Sequence, residues 1–293
     1  MKKIGVIGIP GNWSSEHLAD TVEQKTGNRY LIDMSKVSYN LENNYIGQGE
    51  LDLSTFDALI VKKIGAQYSP DLINRLEILD VLEQRGIPIF SPPKSILGLL
   101  DRMTCTLRLS NGGIPIPSTL ITENIDAAYQ AVQKFGKAVL KPLYTSKARG
   151  MEVVEASNGI RPKLESFKEQ GNKMIYVQKM VPIPGKDLGI VFLGNKYLAT
   201  YARVTQNDSW NTTTQSGGKY EPFEPSQEVI YLAHKAQSLF NLDFTCVDLV
   251  ETAEGPKVFE VSAFGGFRGL KEAHEIDVAP LLVDYTLKRI NNV

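Results

Sequence analysis

The stretch from Cys246 to Ser262 constrains this chain more than any other. Two apolar runs, Cys246-Val247-Asp248-Leu249-Val250-Glu251 and Lys257-Val258-Phe259-Glu260-Val261-Ser262, flank Gly255-Pro256, a strong turn signal. Folded as a hairpin, they bring Asp248 and Glu260 side by side on one face of a sheet. Side-chain alternation puts Ser262 with Glu260 and turns Val261 away. Two carboxylates and a hydroxyl on a rigid platform are hard oxygen ligands, a set that suits Mg²⁺ when it also holds phosphate. A half-buried hairpin with solvated acids accounts for the same pattern, and the stretch alone favours that plainer reading.

The remaining residues narrow the field. With 293 residues the chain can bury a large core and form two or three subdomains. A net charge of −1 gives no global field for nucleic acid or an anionic membrane. The start, MKKIGVIGIPG, breaks at Pro10-Gly11 after a short apolar run, so neither a signal peptide nor a membrane span is expected. Cys105 and Cys246 stand far apart, which fits a reducing cytoplasm and a packing role. Three histidines with no Cys/His cluster argue against structural zinc.

Strand and helix signals alternate over residues 1–90. Apolar runs at 3–9, 30–33, 58–61 and 87–90 read as strands, and 15–24 as a helix. A second helix is expected after Ser69-Pro70-Asp71, with Ser69 as its cap and Pro70 at its first position. This is a small doubly wound α/β unit. Gly8 and Gly11 do not make a full dinucleotide fingerprint. A helical region is expected from Lys94 to about Leu109, then an extended Ile114-Pro115-Ile116-Pro117. Helices follow at 124–135, 225–241 and 276–290, and a hairpin at 187–205 turns at Gly194-Asn195. Lys141 closes the apolar run 137–142, where an unpaired ammonium would be costly unless it snorkels to water. Residues 144–151 form a basic turn, able to fold over phosphate or to be a solvated tip. Residues 208–218 are a polar loop.

In this order the pieces resemble the ATP-grasp superfamily, nearest to the ribosomal S6 modification enzyme, the lysine-biosynthesis ligase and the glutamate ligases. Four motifs over roughly residues 90–290 carry the resemblance: Asp101-Arg102-Met103 with Gly113-Ile114-Pro115-Ile116-Pro117; Val139-Leu140-Lys141-Pro142; Tyr176-Val177-Gln178-Lys179-Met180-Val181; and Asp248 followed by Glu260-Val261-Ser262 and Gly265-Gly266. It implies an α+β ATP-grasp fold: an N-terminal α/β domain at 1–90, a small lobe with linker helices at 91–178, and a large lobe with the metal site at 179–293.

The resemblance also implies roles. Lys141 and Arg102 contact ATP phosphates, with Ser146 and Lys147 in a loop that closes over them. Gln178, Lys179, Met180 and Val181 frame adenine, and Asp187 lies near the ribose. Asn211 and Thr213 belong to a polar loop at the phosphates. Arg203 faces the reacting acyl phosphate, and Asp248, Glu260 and Ser262 hold two Mg²⁺ ions. Arg268 is a candidate substrate anchor, and a surface salt bridge explains it equally well. The implied activity is an ATP-dependent carboxylate–amine ligase, with a small-molecule acid and an amine, or a peptide or carrier-protein tail, as substrates. The implied assembly is a homodimer or homotetramer.

The sequence departs from the family pattern in four places. Arg102 stands for Lys, Lys179 for Glu and Ser262 for Asn, and the loop at 145–150 has one glycine. These departures motivate two other readings, a nucleotide-binding regulator with weak or lost catalysis and an ATP-grasp small-molecule kinase.

Overall fold

A computed structural model describes residues 1–205, 210–212 and 217–291. The chain begins with β1 (Ile4–Ile7), α1 (Trp13–Thr26) and β2 (Leu31–Ile32), then a three-stranded antiparallel sheet of β3 (Ser38–Asn40), β4 (Tyr45–Gln48) and β5 (Leu51–Asp52). It returns through β6 (Ala58–Val61), α2 (Asp71–Gln84) and β7 (Ile89–Phe90). Strands β2-β1-β6-β7 form a parallel sheet. Both faces of this sheet are covered, which explains why β1 and β6 are apolar without interruption. Their alternate residues feed different cores: Ile4, Val6, Ala58 and Ile60 pack toward one, and Ile7, Leu59 and Val61 toward the other.

Two short helices follow, α3 (Pro93–Leu97) and α4 (Arg102–Asn111). The continuous helical region expected over 94–109 is thus broken. Asp101 is extended and its carboxylate accepts from the Thr104 N–H, so a new helix starts there. Ser69 does not cap α2. Its hydroxyl donates to Asp71 instead, and the residue at the cap, Pro70, has no side-chain acceptor.

The middle of the chain folds on its own core. Strands β8 (Thr119–Thr122), β9 (Lys137–Leu140), β10 (Glu152–Glu155) and β11 (Ile175–Lys179) form an antiparallel sheet in the order β10-β9-β11-β8. Helices α5 (Ile125–Phe135) and α6 (Arg161–Glu169) cover it with Ala128, Val132, Leu164 and Phe167. Asn124 caps α5 through the N–H groups of Asp126 and Ala127.

The last part is a five-stranded antiparallel sheet. It contains β12 (Lys186–Leu193), β13 (Lys196–Val204), β14 (Lys219–Phe223), β15 (Phe244–Thr252) and β16 (Gly255–Ser262), in the order β14-β13-β12-β15-β16. Helix α7 (Gln227–Ser238) packs on one face, with α8 (Phe267–His274) and α9 (Val278–Asn291) on the other side. The hairpin at Gly194-Asn195 forms as expected between β12 and β13. Helix α8 and the small sheet β3–β5 have no clear signal in the sequence. A glycine-rich approach masks the first, and strands of two to four residues carry too little periodicity to show the second. Among the described residues, no helix is long and apolar enough to cross a membrane.

Candidate active site

The site is built on one end of one face of the five-stranded sheet. Register places Asp248 opposite Glu260, Gly189 opposite Asp248, Asp187 opposite Arg203 and Arg203 opposite Tyr220. Charged residues on β12, β13, β15 and β16 therefore gather at this end, and Tyr220 of β14 borders them. Gly189 is required in the middle: a Cβ there would lie 2.2 Å from the Tyr201 ring, which fills the space beneath.

The opening hairpin carries one irregularity. Its register shifts between Asp248 and Leu249, so Glu260 pairs with Asp248 while Val258 pairs with Leu249. Phe259 is the extra residue of this bulge, which re-aims the strand. Val258 and Val261 consequently enter the same core although they stand three positions apart, and Phe259 and Glu260 line the same cavity. Strict alternation would have excluded Phe259. The Val258-to-Val261 spacing was the signal that could have found it.

Arginines hold the carboxylates. Arg203 donates from Nε to both oxygens of Asp187 at 3.1 Å, bonds it again through Nη2, and reaches Asp248 Oδ1 at 3.1 Å. Thr212 also donates to Asp187. Burial opposes the charge on Arg203, but Asp248 and Asp187 outweigh it and hold its pKa well above the usual range. Burial raises the Asp248 carboxyl, the neighbouring Glu260 and Asp187 charges add to the rise, and Arg203 opposes it. Arg102 is buried, and its Nη1 lies 3.2 Å from Glu260 Oε2. The rest of its fork donates to the Thr145 carbonyl at 3.1 Å and the Pro142 carbonyl at 3.4 Å. It thus ties α4 and the segment from Pro142 to Thr145 to the carboxylate platform.

Lys141 stands just past the end of β9 and is half-buried. Its Nζ donates to Gln178 Oε1 at 2.5 Å and lies 5.5 Å from the Phe259 ring centroid. Burial, reinforced by the Arg102 charge and eased by Glu260, lowers its pKa to about 7. The Gln178 side chain is buried and bonded to Lys141, Thr119 and Tyr176. It therefore positions the lysine.

These groups surround one cavity of about 170 Å³. Its lining includes the expected Arg102, Lys141, Ser146, Lys147, Gln178, Lys179, Met180, Val181, Asp187, Arg203, Asn211, Asp248 and Glu260, and also Val139, Met151, Phe259 and Thr212. Two expected residues, Ser262 and Arg268, are not in this lining. Ser262 lies beyond this cavity, and its hydroxyl accepts from the Phe264 and Gly265 N–H groups at 3.2 Å. Arg268 is 67% exposed on α8, paired with Glu272 and outside the cavity lining. Thr213 lies outside the described residues.

No group of three or more His, Cys, Asp or Glu among the described residues is arranged to hold a metal. Two facing carboxylates with phosphate oxygens and water are nevertheless a donor set Mg²⁺ accepts. Asp248 and Glu260 fit that requirement, and Ser262 lines an adjoining cavity together with both.

A cleft with a hinge strand, a lysine, two arginines and paired acids defines a nucleotide-dependent ligase of the ATP-grasp type, and comparison with known proteins agrees. Residues 100–286 match the RimK-like ATP-grasp domain, and the chain belongs to this family. It is 28% identical to the tetrahydromethanopterin:alpha-L-glutamate ligase of Methanocaldococcus jannaschii, over 99% of this chain and 100% of that protein. It is 25% identical to the enzyme of the same name from Methanosarcina acetivorans, over 97% and 98%. Among solved structures, the ATP-grasp ligase PsnB in complex with a minimal precursor superposes with a TM-score of 0.77 at 18% identity, covering 98% of this chain and 99% of that one. The RimK-domain ATP-grasp protein of Sphaerobacter thermophilus gives 0.76 at 19%, over 97% and 98%. The chain has the ATP-grasp fold and is an ATP-dependent ligase that forms amide bonds.

Proposed function

We propose that this cleft activates a substrate carboxylate by phosphorylation and passes the acyl group to an amine. Lys179 to Val181 frame the adenine, and Asp187 sits on the ribose side. The observation that carries the reading is the Asp248–Glu260 pair, with Lys141, Arg102 and Arg203 in the same cavity. A substrate carboxylate oxygen attacks the γ-phosphorus, the bond to the β-phosphate oxygen breaks, and ADP leaves. The amine nitrogen then attacks the acyl carbon, phosphate departs with the C–O bond electrons, and the nitrogen loses a proton. Lys141 and Arg102 bear the triphosphate charge, and Arg203 faces the oxyanion that forms when the amine adds. Asp248 and Glu260 would hold Mg²⁺, with Glu260 shared if two ions bind. The metal would supply charge neutralisation. No side-chain nucleophile is required, since orientation and electrostatics supply the catalysis.

The relatives' names make glutamate the first amine to try. The test uses Mg-ATP with hydroxylamine as surrogate amine and a panel of acids. ADP and a hydroxamate support the reading. A stable phosphorylated acid that resists hydroxylamine would assign a kinase, and nucleotide binding without ADP would assign a regulator.

A further inference from the structure

Two further cavities meet the nucleotide cavity at Glu260. The larger, of about 290 Å³, shares Ser146, Lys147, Arg203, Asp248 and Glu260 with it. The smaller, of about 30 Å³, shares Arg102, Ser146 and Glu260. From the N-terminal unit, Tyr68 lines both of them. It stands in the turn between β6 and α2, outside the residues that match the family.

The Tyr68 ring is half-buried against the core, which fixes it in place. Its hydroxyl has no hydrogen-bond partner among the described residues. Buried tyrosines elsewhere in the chain are satisfied: Tyr176 meets the Thr106 hydroxyl at 2.9 Å, and Tyr201 meets the Cys246 thiol at 3.2 Å. A phenol held in a wall without a partner leaves a donor directed at whatever fills the cavity. Burial raises its pKa, the Glu260 charge raises it further and Arg102 opposes the rise, so the group is a neutral donor. The charges that act on it are thus the carboxylate expected to hold metal and the arginine expected to hold phosphate. Ser146, which lines all three cavities, belongs to the expected phosphate loop. The company of Tyr68 is therefore that of the phosphate end of the cleft. Tyr220, by contrast, lines only the larger cavity.

We propose that Tyr68 is a further catalytic residue of this ligase, and that its hydroxyl donates a hydrogen bond to a non-bridging oxygen of the phosphoryl group in transfer. This rests on the carboxylate-activating reading above, and it holds whichever substrate, acid or amine, occupies the larger cavity. The bond from the carboxylate oxygen to phosphorus forms, the bond from phosphorus to the β-phosphate oxygen breaks, and its electron pair leaves with ADP. Tyr68 keeps its proton throughout. A donor on a packed ring needs no reorganisation as the phosphoryl group moves, which is where such a contact favours the transition state over bound ATP.

The test uses Tyr68→Phe, which removes the hydroxyl and keeps the packed ring. Wild type and variant are titrated calorimetrically with Mg-ADP, and with Mg-ADP plus aluminium fluoride, a mimic of the phosphoryl group in flight. The wild type should bind the aluminium fluoride complex more tightly than Mg-ADP alone. Tyr68→Phe should leave the Kd for Mg-ADP within about twofold and weaken the aluminium fluoride complex by about 10–100-fold, the value of a hydrogen bond to a charged group. No gain from aluminium fluoride in the wild type, equal affinity of both proteins for that complex, or an equal loss for Mg-ADP in the variant would overturn the proposal. Binding of Mg-ADP by the wild type is measured first: its absence refutes the ligase reading itself, and its presence isolates the Tyr68 question.

Discussion

Lys62 and Lys141 invite comparison, because burial pushes both down to a pKa of about 7. Lys62 is 2% exposed, and the fold satisfies it with a carbonyl and an aromatic ring. Lys141 also has one amide oxygen and lies over an aromatic ring, but it stands on an open cavity beside the Arg102 charge. The same depression therefore has two meanings. One lysine is a structural tie between the N-terminal sheet and the turn after β16, and the other is a cation left wanting an anion. A perturbed pKa marks a functional group only when the missing partner is missing toward a cavity.

The sharpest way to break this contrast is to remove each ammonium. Lys141→Met should lower turnover by about 10²–10³-fold, the loss expected for one preorganised charge at a transition state. Lys62→Met should leave nucleotide Kd within about twofold. ADP release and nucleotide titration on both variants measure this, and equal losses would erase the distinction. Next in size is Glu260→Ala, which removes one of the two facing carboxylates and the Arg102 partner. It should weaken Mg²⁺-dependent ATP binding by about 10–100-fold, as for a lost charged contact, with little change in metal-free binding. Titrations with and without Mg²⁺ separate the two.

A pH experiment tests the structural lysine. Lys62 is depressed from 10.5 to about 7 in the folded state, so between those values the unfolded chain binds more protons and stability rises with pH. Below about 7 the full cost of the buried charge is present. Lys62→Met should flatten the rise, seen as denaturation midpoints at pH 7 and pH 10, since a tenfold loss of proton affinity on folding corresponds to about 1.4 kcal/mol. An unchanged slope would show that the lysine is not depressed. The smallest effect is expected for Lys179→Glu, which reverses the charge at this position. Its side chain is exposed, so ATP affinity should move by less than about threefold, within the range of surface changes. A larger change would mean that the hinge uses this side chain.

The readable parts of the sequence were those where one local rule decides. Pairing of Asp248 with Glu260 followed from two apolar runs around a Gly-Pro turn, and the Gly194-Asn195 hairpin from residue type. Whatever depended on tertiary partners stayed hidden. Nothing local shows that Gln178 spends its side chain on Lys141, or that the Ser262 hydroxyl is taken by two backbone N–H groups. Arg268 illustrates the limit: a cation beside two glycines suits an anchor as well as an i,i+4 pair, and the structure shows the pair with Glu272. The tie from Lys62 to the Phe264 carbonyl required the N-terminal sheet to be set against the turn after β16, which no motif encodes.

The central claim is that the cleft phosphorylates a carboxylate. The direct measurement uses an ¹⁸O-labelled carboxylic acid that turns over with ATP and an amine, with the released phosphate analysed by mass spectrometry. Transfer of one ¹⁸O from the acid to inorganic phosphate is the predicted result. Amide formation with ADP release but no ¹⁸O in the phosphate would contradict the account.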